Sequence, residues 1–235
     1  MAHSTGLFVC PISSITTPES VEPVRSECFG TYHPIYSPVS CPGKELIQVT
    51  EIVHLTASQL EAGLDEIRSA PRDGGVLHMI VRRPSEEVRE VLQVGELDLT
   101  EGLVGDNWGK RPSPRTDDGS PHPDMQLNLM NSRVIALISQ SKDRWKLAGD
   151  QMFVDLDLGA DNLPPGTKLS LGTATIMVTD QPHTGCKKFS ARFGVEALKF
   201  VNSPVGKQLS LRGINAKVIA GGTIREGDTI KKIQT

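Results

Sequence analysis

The stretch NLPPGTKLSLGTATIMVTDQPHTGCKKF, residues 162–189, decides how the rest of the chain is read. It gives two strands joined by a tight turn at Gly172 and entered through the corner Pro164-Pro165-Gly166. Proline presets φ there, and glycine takes conformations that other residues avoid. The strands run out at QPHTGCKKF (181–189), where His183 and Cys186 sit three residues apart, with Gly185 before the cysteine and Lys187 and Lys188 after it. KKFSARFGVEALKFVN (187–202) reads as helix, broken near Gly194. GINAKVIAGGTIREGDTIKKI (213–233) reads as a closing pair of strands around a glycine-containing turn.

Outward from this region the pattern is similar. GVLHMIVRRP (75–84) is a short apolar run suited to a strand, and REVLQVGELDLTEGLVGDNW (89–108) gives a further strand and a glycine-punctuated loop. PSPRTDDGSPHPD (112–124) is a long polar loop of the kind that lines sites. SRVIALISQ (132–140) predicts a helix capped by Ser132, and GDQMFVDLDL (149–158) alternates with period two from Gln151. TASQLEAGLDEIRSAP (56–71) predicts one helix with Ser58 and Glu61 as its capping box and Leu60, Leu64 and Ile67 on one face. ELIQVTEIVHL (45–55) alternates loosely, as a strand would, while residues 1–45 are rich in Pro, Ser and Thr and lack periodicity. Short strands, glycine turns and few long helices predict a mainly β fold with α: a β-barrel with peripheral helices over residues 73–235, and an extended N-terminal arm with one helix, partly disordered, over residues 1–72.

Composition narrows the functional classes. The net charge of −3 over 235 residues gives no global nucleic-acid footprint, and with 4 % aromatic residues a stacking surface for single strands is disfavoured. Trp108 and Trp145 read as packing residues. No apolar run reaches the ~18 residues of a membrane span, and the N-terminus lacks the basic region of a signal peptide. The four cysteines, at 10, 28, 41 and 186, form no CxxC pair, so a cytoplasmic chain with reduced thiols is expected. Cys10, Cys28 and Cys41 read as incidental, with a weak metal site alongside His33 left open. The charge is unevenly spread: His183 to Lys217 holds seven lysines and arginines against the single acid Glu196.

That basic surplus surrounds Cys186. A cysteine is nucleophilic as thiolate. Lys187 and Lys188, the start of a helix and His183 as proton acceptor or ion-pair partner would each favour that form. Lys188 and Arg192 lie four apart, on one helical face, and together suit an anion. Arg212 and Asn215 in LRGINAK suit a phosphate or a pterin edge, since arginine binds oxyanions through two N–H groups. Lys199 and Lys207 read as solvated surface charge. Asp106 in GLVGDNW either orients a ligand or a basic residue, or caps a turn. A buried, inert cysteine is the plain alternative.

Spread over residues 102–230, the order of these pieces resembles the MOSC domain, the C-terminal module of molybdenum-cofactor sulfurases. GLVGDNW (102–108) is similar to that family's Gly-Asp loop, the strand pair leading to Cys186 to its cysteine-bearing segment, and RFGVEALKFVN followed by LRGINAKVIAGGTIREGDTI to its closing helix and strands. The resemblance implies a MOSC-like β-barrel, binding of molybdenum cofactor (molybdopterin), and a role for Cys186 as persulfide carrier or molybdenum ligand. It also implies sulfur transfer or reduction of N-hydroxylated substrates, with an external electron or sulfur donor as partner. Where many relatives hold a His-Gly-Gly-rich stretch this chain has DDGSPHPDMQLNLMNSR (117–133), with His122 its one histidine. Two other readings stay open: a molybdenum-independent enzyme with Cys186 as nucleophile and His183 as base, and a non-catalytic binding domain.

Overall fold

The computed structural model describes residues 53–234. The arm expected over residues 1–45, most of the strand read into 45–55, and Cys10, Cys28, His33 and Cys41 lie outside those residues. TASQLEAGLDEIRSAP forms two short helices rather than one, α1 (Ala57–Ala62) and α2 (Leu64–Arg68). They part at Gly63, where a Cβ would come within 2.4 Å of Leu137 Cδ2. The capping box is Thr56 with Gln59, not Ser58 with Glu61. Gln59 N–H donates to Thr56 Oγ1 at 3.4 Å, and Thr56 N–H donates to Gln59 Oε1 at 2.9 Å. Both TASQ and SQLE fit the pattern, and the earlier one starts the helix in time to bury Leu60.

The strands β1 (Gly75–Arg82), β2 (Glu90–Leu92), β3 (Val94–Asp98), β4 (Gly102–Leu103) and β5 (Leu127–Asn131) follow, then helix α3 (Ser132–Ser139) and β6 (Met152–Asp155). The opening hairpin is β7 (Lys168–Leu171) and β8 (Ala174–Val178), turning at Gly172 as its sequence requires. Next come α4 (Lys187–Phe193), α5 (Val195–Asn202) and α6 (Pro204–Gln208), with Gly194 breaking the first two as expected. The chain then runs through β9 (Ile214–Ala220), β10 (Gly222–Arg225) and β11 (Thr229–Lys232). The closing segment therefore holds three strands instead of a pair. At Gly222 a Cβ would meet Thr173 Oγ1 at 2.6 Å, and from there β10 leaves to pair with β3.

Seven strands close a barrel in the order β11-β7-β8-β9-β5-β6-β1, with Gly75 and Val76 of β1 opposite Ile230 and Thr229 of β11. β2 pairs with the far end of β1, and β10, β3 and β4 form a second small sheet. The β5–β6 pair is parallel, bridged by α3. The cap of α3 is Asn131, whose side chain accepts from Arg133 N–H at 2.8 Å, one residue before the expected Ser132.

Two hydrophobic cores sit on the two faces of the barrel wall. Leu77, Ile80, Leu129, Met152, Val154, Ile176 and Ile230 fill the inside. Met79, Val81, Met130 and Phe153 face outward under a layer that includes Leu60, Ile135, Phe189, Phe193 and Leu211. β6 is thus apolar on both faces, as buried strands are. A bulge between Leu77 and Met79 shifts the side-chain parity of β1. Among the described residues no helix is long and apolar enough to cross a membrane.

Candidate functional site

Beyond β8 the chain runs without regular structure from Thr179 to Gly185 and enters α4 at Cys186. Cys186 is the N-cap residue, extended at φ −127° and ψ 178°, with its side chain exposed and making no capping bond. Its carbonyl accepts from Ser190 N–H at 3.0 Å. Gly185 is pinned by Asn202 of α5, to whose Oδ1 its N–H donates at 2.9 Å. A Cβ there would lie 2.7 Å from Leu198 Cδ1, so the space beside Gly185 is filled by α5 and not left for a ligand.

Behind Cys186 lies a buried polar group. Arg212 Nη1 donates to both oxygens of Asp150, at 2.9 and 2.7 Å, and Nη2 donates to Ala148 O at 3.0 Å. Its guanidinium carbon stands 5.0 Å from the centre of the Phe189 ring. Burial pushes the Asp150 carboxyl up, opposed by the Arg212 charge against it. The nearly buried His183 places Nδ1 3.6 Å from Asp150 Oδ1, too far for a hydrogen bond, and that nitrogen has no partner among the described residues. Burial, then the charges of Arg212 and Arg83, hold His183 well below the ordinary imidazole range, so it is neutral at pH 7.

A second network supports the first. Asp106 accepts from Arg83 Nε and Nη2, both at 2.8 Å, and from the N–H of Trp108 at 2.9 Å. Arg83 Nη1 donates to Gly149 O at 2.7 Å and to Asn128 Oδ1 at 3.2 Å. Asn128 in turn donates to Asn215 Oδ1 at 2.6 Å, and Asn215 Nδ2 to Gln181 O at 3.1 Å. Asp106 both orients a basic residue and caps its own turn through Trp108 N–H, and Asn215 fixes the segment leading to His183.

These networks back a cleft of about 510 Å³. Cys186, His183 and Thr184 line it with Lys188, Arg192 and Arg212 and, from the opposite side, with Arg83, Glu86, Glu87, Arg89 and Arg111. Of the residues singled out from the sequence, Cys186, His183, Lys188, Arg192 and Arg212 are brought together. Lys187 is exposed and outside the cleft, and Asp106 and Asn215 act from behind it. Lys188 and Arg192 share one face, yet carboxylates answer both: Lys188 Nζ lies 2.7 Å from Glu86 and 3.1 Å from Glu87, and Arg192 pairs with Glu87.

The unanswered charges are Arg89 and Arg111, which the sequence reading missed. Among the described residues Arg89 bonds only its neighbour Val88 O, and its buried Nε has no partner. Arg111 makes no side-chain hydrogen bond or ion pair among the described residues. Burial, with Arg192 and Arg83 nearby, lowers the pKa of Arg89; burial and Arg83 lower that of Arg111 to about 10. Both stay cationic at pH 7. Arg83 and Asp150 were missed as well. The pair of arginines closing GVLHMIVRRP was the available signal for Arg83; nothing local marks Asp150. Among the described residues no three His, Cys, Asp or Glu side chains gather as a metal site.

The family model of the MOSC domain matches residues 123–231. That span starts after the Gly-Asp loop and leaves out β1, which closes the barrel. Among solved structures, the YuaD protein of Bacillus subtilis is similar at 17 % identity and a TM-score of 0.48, over 68 % of this chain and 97 % of that one. YiiM of Escherichia coli is similar at 22 % identity and a TM-score of 0.42, over 68 % and 70 %. YiiM of Geobacillus stearothermophilus gives 16 % identity and 0.39, over 70 % and 75 %. No curated protein matches.

Proposed function

From the match of residues 123–231 to the MOSC-domain family model, we propose that the Cys186 cleft binds molybdenum cofactor and that Cys186 carries sulfur or ligates the metal. One observation carries this reading: an exposed thiol shares its cleft with Arg89 and Arg111, which feel Glu87 and Asp106 at a distance but form no ion pair among the described residues. Unpaired arginines in a concave site call for an anion, and the phosphate of a molybdopterin fits that need. Arg83 and Arg212 add positive potential but are already committed to Asp106 and Asp150. A metal here would take Cys186 as its protein ligand and its other ligands from the cofactor. The cofactor, when bound, supplies a metal centre able to exchange oxygen or sulfur atoms and electrons with a substrate.

Sulfur carriage needs only the chain's own thiol. The Cys186 thiolate attacks the outer sulfur of a donor persulfide, a new S–S bond forms, the donor's S–S bond breaks, and the donor leaves as thiolate. Reduction of N-hydroxylated compounds would draw electrons from an external donor protein. The test is purification without chelators or strong thiol reductants, then elemental analysis for molybdenum and mass spectrometry of the Cys186 peptide. Molybdenum at a stoichiometric level, or one added sulfur on Cys186, is expected. Absence of both after supply of cofactor and a sulfur donor rejects the reading.

The presence of His183 and an exposed Cys186 in one cleft also favours a second reading, a cysteine-nucleophile enzyme that uses no molybdenum. That reading predicts rapid alkylation of Cys186 at neutral pH, slowed in His183→Ala. An alkylation rate equal to that of free cysteine would count against it.

A further inference from the structure

The loop from β1 to β2 turns at Ser85–Val88, where Val88 N–H donates to Ser85 O at 3.3 Å. Glu87 in that turn has φ +60°, a left-handed conformation that glycine accepts freely and glutamate does not. A strained non-glycine residue beside a site is a pointer to function. Both carboxylates of the loop reach across the cleft to α4. Glu86 pairs with Lys188 at 2.7 Å, and Glu87 pairs with Lys188 at 3.1 Å and also with Arg192. Lys188 and Arg192 hold the Glu87 carboxyl below the usual carboxylate range, so it remains charged at neutral pH. Glu86 and Glu87 are exposed, and exposed ion pairs are individually weak and screened by salt. The carboxylates thus occupy two of the cleft's cations without holding them firmly.

We propose that Glu86 and Glu87 are a displaceable counter-anion that selects the ligands of the Cys186 cleft. They neutralise Lys188 and Arg192 in the free protein. A ligand bearing a phosphoryl or pyrophosphoryl group takes their place, and its oxygens bridge Lys188 and Arg192 to Arg89 and Arg111. A monoanion carries too little charge to compete with two carboxylates. This inference rests on the reading of the cleft as an anion site.

The experiment is calorimetric titration of the full chain with inorganic pyrophosphate at low ionic strength. It compares wild type, Glu86→Gln/Glu87→Gln and Arg89→Ala/Arg111→Ala, each checked for folding by circular dichroism. The double glutamine variant should bind about five- to tenfold more tightly than wild type, a gain of the size a few exposed ion pairs provide, and the gap should close at high salt. Glu87→Gly, which suits the backbone at that position, should show part of the gain and decides the matter should the double variant not fold. Equal or weaker binding by the glutamate variants overturns the counter-anion role while wild-type binding, lost in the arginine variant, keeps the anion site. Absence of binding by wild type and glutamate variants alike overturns both.

Discussion

Arg83 and Asp106 meet with side chains at 4 % and 0 % exposure, and among the described residues each is the other's only ion-pair partner. Arg83→Ala strands the Asp106 carboxylate and should destabilise the protein by about 3–5 kcal/mol, whereas Arg83→Met with Asp106→Leu should cost far less. Chemical denaturation of the two variants checks this. The sequence pointed to Asp106 through its glycine loop but not to Arg83. A charged residue after an apolar run looks like a strand's exit into solvent, and only the closed barrel turns it inward. His183 gives a second prediction. Its pKa is lowered in the fold, so below the unfolded value, about 6.5, the unfolded chain binds a proton that the folded one refuses. Stability should then fall as pH drops below about 6.5, by at most about 1.4 kcal/mol per pH unit, with no such loss above it. Thermal unfolding between pH 5 and 8 should show a smaller acid loss for His183→Gln than for wild type.

Elements show where the physics of local sequence ends. The β7–β8 hairpin and the break between α4 and α5 were legible because Gly172, at φ +56°, and Gly194, at φ +90°, occupy backbone conformations that other residues resist. β5 was not. LNLMN sits beside a polar loop and reads as its continuation, yet Leu127 and Leu129 fill the barrel while Asn128 faces the network to Arg83 and Asn215. The cap of α3 was off by one residue because Asn131 and Ser132 are both good caps, and the choice is made at long range. Asn131 also donates to the buried carbonyl of Leu156 at 2.8 Å. Asn131→Ala should therefore lose a cap and leave that carbonyl unmet, together about 2–4 kcal/mol. Asn131→Ser should keep the cap alone and fall between. Urea unfolding of the pair measures the division.

At the scale of the molecule, closure of β1 on β11 brings the end of β1 and the loops after it against α4, and so sets Arg83 and Arg89 across from Cys186. Cys186, His183, Lys188, Arg192 and Arg212 lie within about 30 residues of one another in sequence, a span that a pattern of helix and strand can cover. Arg83, Arg89, Arg111 and Asp150 lie well before them and join the site only through the sheet. This is why the thiol and its basic helix were readable while the free cations were not. If the thiol and the two arginines form one binding site, loss of either should empty it. Molybdenum content per chain, measured side by side for wild type, Cys186→Ala and Arg89→Ala/Arg111→Ala after exposure to cofactor, tests it most directly. Molybdenum is expected in wild type, with a strong loss in both variants. Equal content in all three, or none in any, would contradict it.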